Sequence, residues 1–461
     1  MANLAEVGAW IEQRLPELLA EYDVPAAAVA VSVGGDVVDT AAGVLSKATA
    51  VDATPDSVFQ VGSITKVWTA TLVMQLVDEG LVDLDTTVRT YLPEFVIGDD
   101  AAAAAITVRQ LLCHVAGFEG DIFTDTGRGD DCVEKYVATL GDTPQLFGPG
   151  ERFSYNNAGY CVLGRIVEVL RDKPFDTCVR DHLFTPLGLT HAANGADEAI
   201  LFRAAVGHIQ PAPEADSVPA PMWSIVRSNA PAGSMLTMRA RDLLGFARMH
   251  LDGGTAPDGT AVLSGASVKA MQERQVDLPD LGLLGDGWGL GWELYDVPGG
   301  PVIGHDGSTI GQNAFLRLVP GRDVAVAVLT NGGLAYTFAE RILTHVLAEL
   351  ADVELGALPA PTPGATVENP ERYVGTYASA VADTTVTLED GRLWAERTPK
   401  GELAALAGPG ERSELVPWRG DTLLPSSPTQ GIYMPHAFVG DDGHGRALYL
   451  HTGRADRRVD A

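Results

Sequence analysis

A proline-rich stretch at residues 356–371, Gly-Ala-Leu-Pro-Ala-Pro-Thr-Pro-Gly-Ala-Thr-Val-Glu-Asn-Pro-Glu, divides this chain into two unequal parts. Proline fixes φ and removes a backbone donor, so prolines this close together extend neither a helix nor a central strand. The stretch reads as a semi-rigid linker. Residues 1–355 are long enough to build a large core of their own. Residues 372–461 must then fold as a small separate unit.

The two parts carry different periodicities. Val7, Trp10, Ile11, Leu15, Leu18 and Leu19 recur at spacings of three and four, which predicts an amphipathic helix near the start. Residues 25–43 read as two strands around Gly34-Gly35-Asp36. A helix is expected from about Ser63 to Glu79, stopped at Gly80. Residues 100–350 alternate helical periodicity with Gly/Pro loops. Apolar strands at 314–319 and 323–330 form a hairpin over Pro320-Gly321, and 335–351 return to a helix. Strands at both ends with helices between them predict an α/β sandwich with an inserted helical region. Beyond the linker, 384–388, the Asp390-Gly391 turn and 393–395 read as a hairpin, and 447–451 as the last strand of a small antiparallel β domain. No repeat of 20–50 residues is visible.

Charge and cysteine usage narrow the functions. With 61 acidic against 32 basic residues, the net charge is −29; such a surface repels phosphate backbones, so no nucleic-acid partner is expected. No run of about twenty apolar residues occurs, so no membrane span is expected. The start, Met1-Ala-Asn-Leu-Ala-Glu, lacks a basic region followed by an apolar one, and a cytoplasmic protein is expected. Cys113, Cys132, Cys161 and Cys178 form no C-x-x-C pair and read as buried thiols, Cys113 beside His114 included. There is no H-E-x-x-H, no G-x-S-x-G and no phosphate-binding glycine loop. A zinc hydrolase and an α/β-hydrolase are disfavoured, and neither metal nor cofactor is expected.

Three short motifs carry candidate chemistry. In Val61-Gly62-Ser63-Ile64-Thr65-Lys66, serine and lysine share one face at a helix start. A serine hydroxyl needs a base, and a lysine whose pKa is lowered by burial or a nearby cation can be one. Only six lysines occur, and no other stands three after a serine. The motif also reads as an N-capping serine with a surface lysine. In Ser154-Tyr155-Asn156-Asn157, Tyr155 could act as phenolate or proton relay, and Asn157 could donate to a substrate carbonyl or to Lys66. A structural tyrosine and a helix-capping asparagine are the alternative. In Gly304-His305-Asp306-Gly307-Ser308, the glycines allow close backbone approach, and the N–H groups of Ser308 and Ser63 could form an oxyanion hole. His305 could equally be a core histidine.

Together the order and spacing of Ser63-x-x-Lys66, Tyr155-x-Asn157 and His305-x-Gly307 resemble the serine penicillin-recognising family. That family comprises penicillin-binding proteins, class C β-lactamases and their esterase, D-aminopeptidase and peptide-cyclase relatives. The runs Leu111–Gly117, Pro186–Thr190 and Pro231–Ser234 are also similar to it, and the resemblance covers about residues 5–350. It implies a β-lactamase/transpeptidase-like antiparallel sheet with flanking helices and a helical subdomain over 1–355, followed by a lipocalin-like β domain over 372–461. It implies that Ser63 is acylated, that Lys66 and Tyr155 move protons with Asn157 and His305 in support, and that Ser63 and Ser308 hold the oxyanion by their backbones.

Many family members have Lys-Thr-Gly or Lys-Ser-Gly where this chain has His305-Asp306-Gly307. A lysine there helps hold a substrate carboxylate, whereas histidine is mostly neutral at pH 7. The departure favours esters, thioesters and amides over β-lactams or free D-Ala termini. With its β tail, the chain is most similar to stand-alone penicillin-binding-protein-type thioesterases. These take a peptidyl thioester from a carrier protein and macrocyclise it, with a D-configured acyl terminus. The other readings are an intracellular esterase or D-amino-acid amidase, a D-Ala-D-Ala carboxypeptidase or β-lactamase, and an inactive sensor module. Gly307, Trp288 (with Trp292) and Arg446 of the tail are the candidate substrate contacts. Packing for the tryptophans and a solvated surface for Arg446 are the plainer readings.

Overall fold

The computed structural model describes residues 2–212, 215–400 and 410–460. Helix α1 (Leu4–Glu21) opens the chain, with Asn3 and Glu6 forming a capping box and Val7, Ile11, Leu15, Leu18 and Leu19 buried. Strands β1 (Ala26–Val33) and β2 (Asp36–Gly43) follow as a hairpin. Gly34 and Gly35 both have positive φ, the conformation a two-residue hairpin loop demands. The sheet is completed from the far side of the sequence by β3 (Val276–Asp277), β4 (Gly287–Trp288), β5 (Glu293–Val297), β6 (Gly300–Ser308), β7 (Asn313–Val319) and β8 (Val324–Thr330). The order is β2-β1-β8-β7-β6-β5-β4-β3, antiparallel throughout.

This sheet separates two cores. Val29 and Val31 of β1 and Val326 and Val328 of β8 pack with α1 and with α5 (Ala335–Ala351) on one face. Ala26, Ala28 and Ala30 alternate with them and face the helical side. Burial on both faces explains why β1 and β8 are apolar without a polar alternation. On the helical side lies α2 (Thr65–Asp78), in which every residue from Thr65 to Leu76 is buried. It is packed against α3 (Asn157–Arg171) and α4 (Ala240–Leu251). A helix buried all round belongs inside a core, and this one carries Lys66.

Past α5 the chain holds no helix or strand until a 3-10 turn at Pro370–Arg372. Eight strands then close an antiparallel barrel: β9 (Gly375–Ala378), β10 (Ala382–Glu389), β11 (Arg392–Pro399), β12 (Glu411–Arg419), β13 (Thr422–Pro425), β14 (His436–Val439), β15 (Tyr449–His451) and β16 (Ala455–Arg458). The strand expected at 447–451 is therefore not the last. The chain turns at Thr452–Arg454 and returns as β16 to close the barrel against β9. All four cysteines are free and buried. Among the described residues no helix is long and apolar enough to cross a membrane.

Candidate active site

Ser63 lies in a 3-10 turn, Gly62–Ile64, that runs straight into α2. Gly62 has a φ of 52°, which glycine adopts without steric cost. A Cβ there would stand 2.6 Å from the Ser308 nitrogen. One turn on, Lys66 is wholly buried. Its Nζ lies 3.1 Å from Ser63 Oγ and donates to the Ala232 carbonyl at 2.6 Å. Burial, and after it the positive charge of Arg454, lower Lys66 to about 7. Near neutral pH a large share of these amines is uncharged, with a lone pair available for the Ser63 proton.

Tyr155 is also buried, with Lys66 Nζ 4.7 Å from its ring centre. Burial pushes its phenol well above the usual tyrosine range, outweighing the opposite pull of the Ser63 hydrogen bond and of Arg454. Of the two expected roles, phenolate or relay, the neutral phenol is suited to relay. His114 stacks on this ring at 4.3 Å and accepts the Asn156 N–H at its Nδ1. The run around His114 resembles the family's but gives the histidine no part; its contact with Tyr155 exists only in three dimensions.

Asn156, not Asn157, caps α3, accepting the Gly159 N–H. The Asn157 amide donates to Asp121 Oδ1 at 2.6 Å. The expected bond from Asn157 to Lys66 is thus replaced by one to Asp121, and the Asn157 side chain still lines the cavity.

Strand β6 meets the Ser63 turn backbone to backbone. A Cβ on Gly307 would lie 2.0 Å from the Val61 oxygen and 2.8 Å from the Ser63 nitrogen. Thr309 donates its N–H to Gln312 on the β7 side. Donors alternate along a strand, so the N–H of Ser308 points to the free edge. There it and the Ser63 N–H can receive a developing oxyanion. His305 is fully buried; its Nδ1 donates to the Asp306 carbonyl, leaving Nε2 without a protein partner. Burial and Lys66 bring it down to about 3, so it is a neutral imidazole.

Ser63, Tyr155, Asn157, His305 and Ser308 border one cavity of about 240 Å³, with Phe123, Ile225 and Leu284 as its apolar wall, while Lys66 is wholly buried and reaches it through Ser63. Trp288 is not on that wall: it is completely buried between Phe153, Tyr155 and His305. Trp292 is likewise core, against His250. Both tryptophans sit where the sheet packs on the helical region, because their area is best removed from water there. Arg446 is also displaced from its expected role. It stands on an exposed turn, its N–H held by Asp442, outside the cavity.

The barrel's contribution is Arg454, which no sequence motif marks. Its guanidinium pairs with Asp121 through two bonds, 2.9 and 3.2 Å, and lies 4.7 Å from the Tyr155 ring centre. The turn that carries it is docked by Gly453 accepting the Tyr155 N–H, His451 donating to the Phe153 carbonyl, and Ser154 Oγ accepting the Ala455 N–H. Arg454 lies in the turn between β15 and β16, and with 447–451 expected as the final strand nothing in the sequence directs it to the cleft.

Residues 11–351 match the family model described as Beta-lactamase. The chain belongs to the beta-lactamase family. Within it, penicillin-binding protein 4 of Amycolatopsis lactamdurans is 47% identical over 352 residues, covering 76% of this chain and 92% of that protein. The crystal structure of SurE matches 99% of this chain and 100% of its own, at 28% identity and a TM-score of 0.78. SurE with D-Leu matches over the same shares at 28% identity and 0.76. The octameric penicillin-binding protein homologue from Pyrococcus abyssi shares the fold over 96% of this chain and 97% of its own, at 22% identity and a TM-score of 0.66. The beta-lactamase-family fold is that of a serine hydrolase or acyltransferase, and the barrel is part of the likeness to SurE.

Proposed function

We propose that this beta-lactamase-family protein accepts a peptidyl thioester from a carrier protein, holds the peptide as an ester on Ser63, and releases it as a macrolactam. The observation that carries the proposal is that Ser63, backed by the buried Lys66, opens on a cavity whose β6 wall holds no cation among the described residues. His305 is neutral there, and among the described residues the single guanidinium of the lining, Arg454, comes from the barrel. A β-lactam or a D-Ala terminus would leave its carboxylate without a partner on β6, whereas a thioester presents none. The full-length likeness to SurE, solved with D-Leu, supports a D-configured residue at the acyl terminus. Thioesters on carriers are made in the cytoplasm, where this reaction would take place.

In the first half-reaction Lys66 takes the Ser63 proton, Oγ bonds to the acyl carbon, and the thiolate leaves with a proton relayed through Lys66 and Tyr155. The oxyanion formed on the way rests on the N–H groups of Ser63 and Ser308. In the second, the peptide's N-terminal amine attacks the ester, loses a proton to the Lys66–Tyr155 relay, and Ser63 Oγ leaves with one. Arg454, fixed by Asp121, offers free N–H groups to the incoming peptide.

The test supplies a peptidyl thioester ending in a D-residue and reads the product by mass. A product lighter than the linear acid by one water is expected, and none from Ser63→Ala. Linear acid alone would move the protein to the esterase and D-amino-acid amidase reading. No Ser63 adduct with thioester, ester, amide, β-lactam or fluorophosphonate would leave only a non-catalytic module.

A further inference from the structure

The pairing of β5 with β6 runs from Val297–Gly300 to Glu293–Gly304 and stops there. Beyond Gly304, residues 305–308 of β6 pair with no described strand but β7, and their other edge meets the Ser63 turn and borders its cavity. Two N–H groups point off that edge, those of Asp306 and Ser308, by the alternation set at Thr309. The first is taken: Asp306 donates to Glu293 Oε1 at 3.4 Å. Glu293 is the first residue of β5, its other carboxyl oxygen bonds the Tyr295 hydroxyl at 2.5 Å, and it is only 1% exposed.

We propose that Glu293 is a positioning residue for acyl transfer: its carboxyl closes the β5–β6 ladder at Asp306, leaves the Ser308 N–H as the first free donor, and sets the alkaline limit of the reaction. The proposal rests on Ser63 as nucleophile, and on no particular substrate.

Glu293 is enclosed by charged and titratable groups from several elements. On β6, Asp306 is held by Arg317 of β7 with contacts of 2.5 and 3.1 Å, and His305 Nδ1 lies 3.7 Å from Glu293 Oε1. On β5, Tyr295 carries Arg317 on its ring face at 4.6 Å. Lys66 of α2 and Tyr336 of α5 also feel the Glu293 charge. Burial first, then Asp306, push Glu293 well above the usual carboxylate range, against Arg317 and Tyr295. In its protonated form it is a neutral acid whose Oε1 still accepts from Asp306. Once ionised, it sets a second acidic group beside Asp306, bordering the cavity where the oxyanion must form. That charge opposes the transition state.

The experiment follows acylation of Ser63 by a fluorophosphonate probe, by intact mass in single turnover from pH 6 to 10, with thermal melts alongside. Wild type should rise through the Lys66 titration and fall again at higher pH. Glu293→Ala, which orphans the Asp306 N–H, should lose at least about tenfold at pH 7. Glu293→Gln keeps an acceptor there, should restore most of that loss, and should show no fall on the alkaline side. A purely structural residue would lower the melting temperature and leave the pH profile in place. An alkaline fall retained in Glu293→Gln, or a folded Glu293→Ala with wild-type rates, overturns the proposal. Should Glu293→Ala not fold, the Glu293→Gln profile decides alone. Wild-type protein unlabelled at every pH would instead bring down Ser63 as nucleophile.

Discussion

Lys66 and Arg454 stand over the same aromatic ring, each 4.7 Å from the centre of Tyr155. One comes from the most buried helix of the sheet domain, the other from the last turn of the barrel. Like charges this close oppose each other, the more so because Lys66 is wholly buried. The barrel therefore helps to keep the Lys66 amine uncharged, and it does so through a residue that also lines the cavity.

Replacing Arg454 should move the acid limb of catalysis. Its charge is the second cause, after burial, that lowers Lys66 to about 7. Arg454→Met removes that repulsion, so Lys66 binds its proton more tightly and the limb shifts to higher pH. Arg454→Lys should leave it near its original position. The measurement is the pH dependence of Ser63 acylation; an unmoved limb in Arg454→Met would mean that burial alone tunes the base.

Tyr155→Phe deletes a hydroxyl and keeps the ring that packs against His114 and Trp288. Loss of a positioned proton relay costs about 10²–10⁴ in rate. The fall should appear in kcat, with KM and melting temperature little changed. A variant with more than a tenth of wild-type kcat would exclude Tyr155 from proton transfer.

Gly307→Ala should separate fold from chemistry. The new Cβ would meet the Val61 oxygen at 2.0 Å, so β6 must retreat from the Ser63 turn and carry the Ser308 N–H with it. Losing one oxyanion donor costs about 10²–10³ in kcat. The far-UV spectrum should be retained and the melting temperature lowered. Normal acylation in this variant would show that β6 supplies no donor.

Lys66→Met should stabilise the inactive protein. The folded amine titrates at about 7 against the ordinary lysine value of 10.5, so between these values the unfolded chain binds more protons. Stability contributed by this site therefore increases as pH rises, and its cost is largest at and below pH 7. Removing the amine should gain roughly 2–4 kcal/mol at pH 7, after the loss of its bond to Ala232. Denaturant melts at several pH values should show the gap between the two proteins closing towards pH 10. A gap that is constant with pH would mean that the buried lysine keeps its proton.

Much of the fold can be read from local pattern. The α1 stripe, the Gly34-Gly35 hairpin, the β7–β8 hairpin over Pro320-Gly321 and the Asp390-Gly391 turn all depend on residues a few positions apart, where periodicity and turn chemistry act directly. Sheet order is different. It places β1 beside β8, nearly three hundred residues away, and no local signal specifies that pairing.

The candidate site divides along the same line. Ser63 and Lys66 are one helical turn apart, so their meeting is a property of the sequence, as is the absence of a lysine at His305. Their chemistry is not. Lys66 can lose its proton near neutral pH because α2 is enclosed on every side, the Tyr155 ring stands 4.7 Å from its Nζ across a large gap in sequence, and Trp288 packs in the core, where a large ring is best removed from water. Arg454 outranked Arg446 because closing the barrel with one more strand aims the preceding turn at Asp121. Side-chain type and spacing are encoded residue by residue. Dehydration, long-range charge and the approach of one domain to another are sums over the whole packed molecule, and they exist only once it has folded.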